Sequence, residues 1–186
     1  MLTNMRSKEN TLLELIFNTP QHWHFEELQS KAHISPPQLM KWLKVFQKEG
    51  ILKRIKERSK MPYYIQDFSN PKFGNRKKLF AMKKMTESGF FDHLASLSQA
   101  KVIILFGSFT RSDWNKESDI DIFIYGKDDE LDQGKYETIL HREIQLFAAH
   151  NKDDFRKMDH LLPSILSGNI IKGSIHDLEI ELHAKA

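Results

Sequence analysis

Two carboxylates spaced two residues apart in an otherwise apolar run, Asp119 and Asp121 in Ser118-Asp119-Ile120-Asp121-Ile122-Phe123-Ile124, are the groups in this chain best suited to chemistry. In an extended strand, residues i and i+2 point to one face. Two acids on one face of a strand built for burial are costly unless a cation accompanies them, and a divalent metal answers with a preference for oxygen ligands. The spacing therefore predicts a site for magnesium (or manganese) at Asp119 and Asp121. A second apolar run, Val102-Ile103-Ile104-Leu105-Phe106, ends in Gly107-Ser108, ten residues before the first acid. A glycine at a strand end lets backbone approach a ligand, and the free amides opening a following helix donate to phosphate. Two such strands side by side would gather the Asp pair and the Gly-Ser turn around one nucleoside triphosphate, with ATP the first candidate. The metal would bridge carboxylate and phosphate oxygens.

The elements that must position these groups occupy only part of the chain. Its 186 residues allow one large domain or two small ones. Charge divides it sharply. From Pro36 to Lys84 there are 14 Lys and Arg against three acids, a net +11, whereas Lys101 to Ala186 holds 11 basic and 16 acidic residues, a net −5. A basic module before an acidic one suits a polyphosphate partner for the first. In that module the helical spacing of Thr11 to Phe17 stops at Pro20, and a second helix runs from Phe25 to Ala32. Ser35-Pro36 is an N-cap serine followed by a proline at the first helical position. The helix it opens carries Leu39, Leu43 and Phe46 on one stripe and Lys41, Lys44 and Lys48 toward the other, and stops at Gly50. Ile51 to Lys56 and Tyr63 to Ile65 then read as a two-stranded hairpin.

Helix, helix, helix and hairpin in this order resemble a winged helix-turn-helix domain over about Asn10 to Gln66. The resemblance implies a third helix in the major groove of double-stranded DNA and a hairpin wing against the backbone. Ser35, Gln38, Lys41, Trp42 and Lys44 are then the base or phosphate contacts of the helix, and Arg54, Arg58 and Lys60 those of the wing. Paired half-sites would make the protein a homodimer. A protein-interaction module with Trp42 partly buried is the competing reading.

Gly107-Ser108, ten residues, then Asp119-x-Asp121, framed by apolar strands, resembles the signature of the DNA polymerase beta-like nucleotidyltransferase superfamily, most of all its minimal members. The likeness extends over about residues 90 to 175 and includes Ser164 to Gly173 as a closing helix and short strand. It implies that Gly107 and Ser108 seat the triphosphate, and Arg111 stands where such proteins often carry a small-Arg-Gly segment, although Ser112 replaces the glycine here. It also implies a third acid, on a strand read as Arg142 to Phe147, acting as general base. Aligned on its apolar residues, that position is Gln145, whose amide accepts no proton at neutral pH, with Glu143 two residues earlier on the same face as the alternative. Asp119, Asp121 and Glu143 are the expected catalytic set.

Other features receive plainer readings. His22 and His24 have the spacing of zinc ligands on a strand, but without cysteine or further ligands nearby they read as packing or capping residues. Asp128, Asp129, Glu130 and Asp132 read as solvated surface, and His176 to Leu182 as an acidic tail strand. Cysteine is absent, which excludes disulfides and thiolate chemistry. With no apolar run near the length of a membrane span and no signal-like start at Met1 to Lys8, a cytoplasmic protein without membrane contact is expected.

The reading is an α/β (α+β) chain: residues 1–69 a winged helix-turn-helix domain, 70–89 a linker helix, and 90–186 a nucleotidyltransferase domain with a mixed sheet flanked by helices. Two functions fit it. One is a magnesium-dependent transferase moving a nucleoside monophosphate to a hydroxyl. The other is a DNA-binding regulator, antitoxin-like, whose transferase domain only binds nucleotide or a partner protein.

Overall fold

The computed structural model describes residues 2–178, with side chains from residue 8 onward. The chain divides into two compact units, Met1–Phe80 with Ser112–Lys116, and Ala81–Arg111 with Glu117–Ala186.

In the first unit, helices α1 (Leu2–Asn18), α2 (Phe25–Ala32) and α3 (Pro36–Lys48) precede strands β1 (Leu52–Ile55) and β2 (Tyr63–Gln66), in the expected order. Extended Ser35 sets Pro36 at the start of α3, whose Leu39, Leu43 and Phe46 are buried at helical spacing. Gly50 at φ +72° turns the chain directly into the antiparallel hairpin, in which Leu52 pairs with Gln66 and Ile55 with Tyr63. Phe17, fully buried, meets Phe73, Phe80 and Trp114 edge-on at 5.6, 5.5 and 6.1 Å between ring centroids. Helix α4 (Pro71–Glu87) is therefore no mere linker, because its Phe73 and Phe80 belong to the core of this unit. A boundary at residue 69 or 89 would cut through that aromatic cluster.

The second unit continues with α5 (Phe90–Ser96), β3 (Ala100–Phe106), α6 (Ser108–Arg111), β4 (Ile120–Gly126), α7 (Gln133–Leu140) and β5 (Ile144–Ala149). It ends with α8 (Lys152–Arg156), α9 (Leu162–Leu166) and β6 (Asn169–Lys172). Its mixed sheet has the order β5-β4-β3-β6, with β3 antiparallel to both neighbours and β4 parallel to β5. A parallel pair requires a crossover, which α7 supplies. β3 and β4 are buried along most of their length, which is why both read as continuous apolar runs rather than alternating ones. One core cluster gathers Val102, Ile104, Phe106, Phe123, Tyr125, Phe155 and Ile165.

Several details differ from expectation. The β4 ladder opens only at Ile120, whose N–H donates to the Glu143 carbonyl at 2.9 Å, so Asp119 and Glu143 both stand just before their strands. Helices α7 and α8 carry no strong apolar period and depend on caps: Asp132 accepts the Lys135 N–H, and the Asn151 side chain accepts those of Asp153 and Asp154. The acidic run at 128–132 is thus partly structural, and Glu130 also accepts both the N–H and the hydroxyl of Ser98 at 2.6 Å. In the expected tail strand, Ile175–Leu178 is a 3-10 turn whose Asp177 accepts the Ser174 N–H. Glu179 to Leu182 lie outside the described residues. Among the described residues no helix is long and apolar enough to cross a membrane.

Candidate active site

Strand register brings the two arms of the site together. Phe106, the last residue of β3, pairs with Asp121 of β4, so the turn after β3 lies against that carboxylate. Gly107 adopts φ +73°, a conformation that favours glycine, and a Cβ there would collide with the Asp121 carboxylate. The backbone of the next residue, Ser108, favours the ionised form of the same carboxylate. Burial raises the proton affinity of Asp121 above the ordinary carboxylate range and the charge of Asp119 raises it further, while Arg111 and the Ser108 backbone oppose both. Gly107, Ser108, Arg111, Asp119 and Asp121 are therefore one constellation.

The constellation fits a divalent cation that keeps part of its own shell. Two carboxylates close enough to repel each other, both half-buried, gain from a shared cation. Magnesium characteristically takes one or two carboxylates and completes its octahedron with water and substrate phosphate. Among the described residues no group of three or more His, Asp or Glu is placed to hold a metal, so a protein-only cage is not what these residues build.

The position abreast of Asp121 on β5 is occupied by Gln145, paired with it in the parallel register, its side chain exposed. Glu143 is also exposed, and lines an open depression with Gly134, Glu137, Thr138, His141 and Arg142. An amide, not a carboxylate, is thus the third side chain in line with the Asp pair. Sequence reasoning assigned no role to Arg142. Its Nη1 donates to the Ser118 carbonyl at 2.8 Å, and its guanidinium lies 5.1 Å from the centroid of the Phe109 ring. The only signal for it was a basic residue opening the β5 segment.

In the first unit, Gln38, Lys41 and Lys44 stand exposed on α3, and the Ser35 hydroxyl donates to Gln38 Oε1 at 3.0 Å. Trp42 is half-buried and stacked on Phe46 at 5.8 Å, so part of its surface is spent on packing. Arg54 and Arg58 are exposed, whereas Lys60 is paired with Glu57 at 2.5 Å. Lys60 and the Tyr63 hydroxyl hold the Glu57 carboxyl below its usual range. His22 stacks on Tyr63 at 4.4 Å and His24 precedes α2 with its Nδ1 3.3 Å from the Pro62 carbonyl, as packing and turn residues.

Residues 88–172 match the family model of the nucleotidyltransferase domain, a span that begins just ahead of α5 and closes on the last residue of β6. Over this part of the chain, somewhat under half of it, the sequence is similar to a nucleotidyltransferase domain. No curated protein and no solved structure matches the chain.

Proposed function

We propose that the second unit binds a magnesium nucleoside triphosphate, ATP foremost, and transfers its nucleoside monophosphate to a hydroxyl acceptor with release of pyrophosphate. The observation that carries this reading is the contact of the Gly107-Ser108 turn with Asp121, which supports it by bringing a backbone turn suited to phosphate against a carboxylate suited to a metal. Asp119 and Asp121 would hold the metal, which when bound neutralises triphosphate charge and polarises the reacting phosphoryl group. Gly107 lets the turn lie against Asp121, the Ser108 hydroxyl would donate to a phosphate oxygen, and Arg111 adds positive charge. The acceptor hydroxyl must lose a proton, and of Glu143 and Gln145 only Glu143 can take one. Titration calorimetry with ATP and the other triphosphates, with and without magnesium, tests the reading. Binding should require magnesium and vanish in Asp119→Asn/Asp121→Asn, and equal binding by that variant would refute it.

Gln145 favours a second reading, in which the domain binds a magnesium nucleotide or a partner protein without transferring anything. The first unit supports either, as a winged helix-turn-helix domain that docks α3 in the major groove through Ser35, Gln38, Lys41, Trp42 and Lys44. The hairpin would rest on the backbone through Arg54, Arg58 and Lys60, with two copies reading paired half-sites. Pyrophosphate release separates transferase from regulator.

A further inference from the structure

We propose that Arg142 is a positioning residue that locks Asp119 to the Gly-Ser turn, an inference that rests on the nucleotide-site reading above. The site is assembled from two stretches of chain, and one member, Asp119, stands before β4 begins. Both peptide groups flanking it are gripped from the entry to β5. On one side the Ser118 carbonyl accepts from Arg142 Nη1 at 2.8 Å, and on the other the Ile120 N–H donates to the Glu143 carbonyl at 2.9 Å. A carbonyl shares one rigid plane with the following N–H, so a charge-assisted bond to Ser118 O sets the orientation of the peptide that leads into Asp119.

The same guanidinium reaches the other arm. It lies 5.1 Å over the ring of Phe109, a buried residue one place after Ser108. Arg142 thereby joins the segment that presents Asp119 to the turn that presents the Gly107 and Ser108 backbone. Its own backbone is well anchored. His141 is left-handed at φ 53°, the Arg142 N–H donates to the Glu137 carbonyl at 3.2 Å, and the Glu137 carboxylate accepts the Ile144 N–H at 3.0 Å. Lysine could not replace it, because an ammonium on a flexible stem has no planar face to stack while its donors reach the carbonyl.

The sign of the effect separates positioning from mere charge. If Arg142 acted only as a nearby cation, removing it would tighten the binding of a divalent metal. As a positioning residue, its loss weakens binding. The experiment measures Mn2+ affinity of the full chain by electron paramagnetic resonance and MgATP affinity by calorimetry, for the parent, Arg142→Lys, Arg142→Met and Phe109→Leu. Both Arg142 variants should bind Mn2+ and MgATP about 10- to 100-fold more weakly, the range seen when partners of metal ligands are removed. The conservative lysine should do so with an unfolding midpoint close to the parent's. Adding Phe109→Leu to Arg142→Lys should weaken binding little further, because the two side chains act as one unit. Unchanged or tighter Mn2+ binding in the Arg142 variants, or fully additive losses, would overturn the proposal. A parent that binds neither Mn2+ nor any magnesium nucleotide overturns the nucleotide-site reading, and the role of Arg142 in it, before any variant is compared.

Discussion

Asp121 carries opposing demands in one side chain. Burial and the charge of Asp119 both favour its protonated form, so ionising it at neutral pH costs the fold stability. The sign follows from linkage. With a folded-state pKa raised above the usual 3.8, the unfolded chain releases this proton first as pH rises, and stability falls from about that pH upward to the folded value. Asp121→Asn should therefore be more stable than the parent at pH 7, with the difference closing as pH falls below 3.8. Denaturant midpoints measured across that range check this, and an Asn variant less stable at neutral pH would contradict it. Magnesium with nucleotide should raise the melting temperature of the parent and leave Asp121→Asn unmoved, since only a ligand that binds the folded state stabilises it.

At the scale of elements, the pairing of β4 with β5 decides which chemistry is within reach. It sets Gln145 beside Asp121 and leaves Glu143 ahead of the strand. If the chain is a weakened transferase, Gln145→Glu or Gln145→Asp should raise nucleotidyl transfer by supplying a base and a third metal ligand. If Glu143 already serves as base, Glu143→Gln should lower turnover by about 10²- to 10⁴-fold, the usual loss when a general base is removed. In that case the Gln145 variants gain little, since a further acid crowds like charges. Pyrophosphate release against a panel of hydroxyl acceptors distinguishes these outcomes, and silence in every variant would leave the regulator reading.

Across the whole molecule, charge and burial are distributed differently. The net +11 between Pro36 and Lys84 includes the exposed Lys41 and Lys44 of α3, but also Lys77, which is buried and donates to the Trp114 carbonyl. Only the exposed part is available to a polyanion. Duplex DNA should bind the full chain with an affinity that falls steeply with salt, by a slope of about −0.9 per phosphate neutralised. Lys41→Glu/Lys44→Glu should flatten that slope and weaken binding, as filter binding or fluorescence anisotropy would show. Absence of duplex binding at low salt would make the first unit a protein-interaction module. Trp114 lies in the stretch between the Gly-Ser turn and Asp119, within the matched family span, yet it is buried in the first unit. Trp114→Ala should cost about 3–5 kcal/mol of that unit's stability, as truncating a large buried aromatic does. Tryptophan-independent unfolding by circular dichroism measures it.

What the sequence determined was whatever local chemistry encodes. The proline and serine opening α3, the glycine ending it, the apolar runs of β3 and β4 and the ten-residue step from Gly107-Ser108 to Asp119 are all stated by neighbours in the chain. The Gly107, Ser108, Asp119 and Asp121 constellation was legible for that reason. Tertiary structure decided what depends on residues far apart. No local pattern says that Phe17 is packed by Phe73, Phe80 and Trp114, so the domain boundary read from composition fell inside a core. Nor does one say that Arg142 reaches back to Ser118 and Phe109, and the place of Gln145 beside Asp121, expected only through the family resemblance, is fixed by the β4–β5 register. Strand register and side-chain reach are settled by closing a sheet over long loops, where the energy of the pairing lies between segments and not within them.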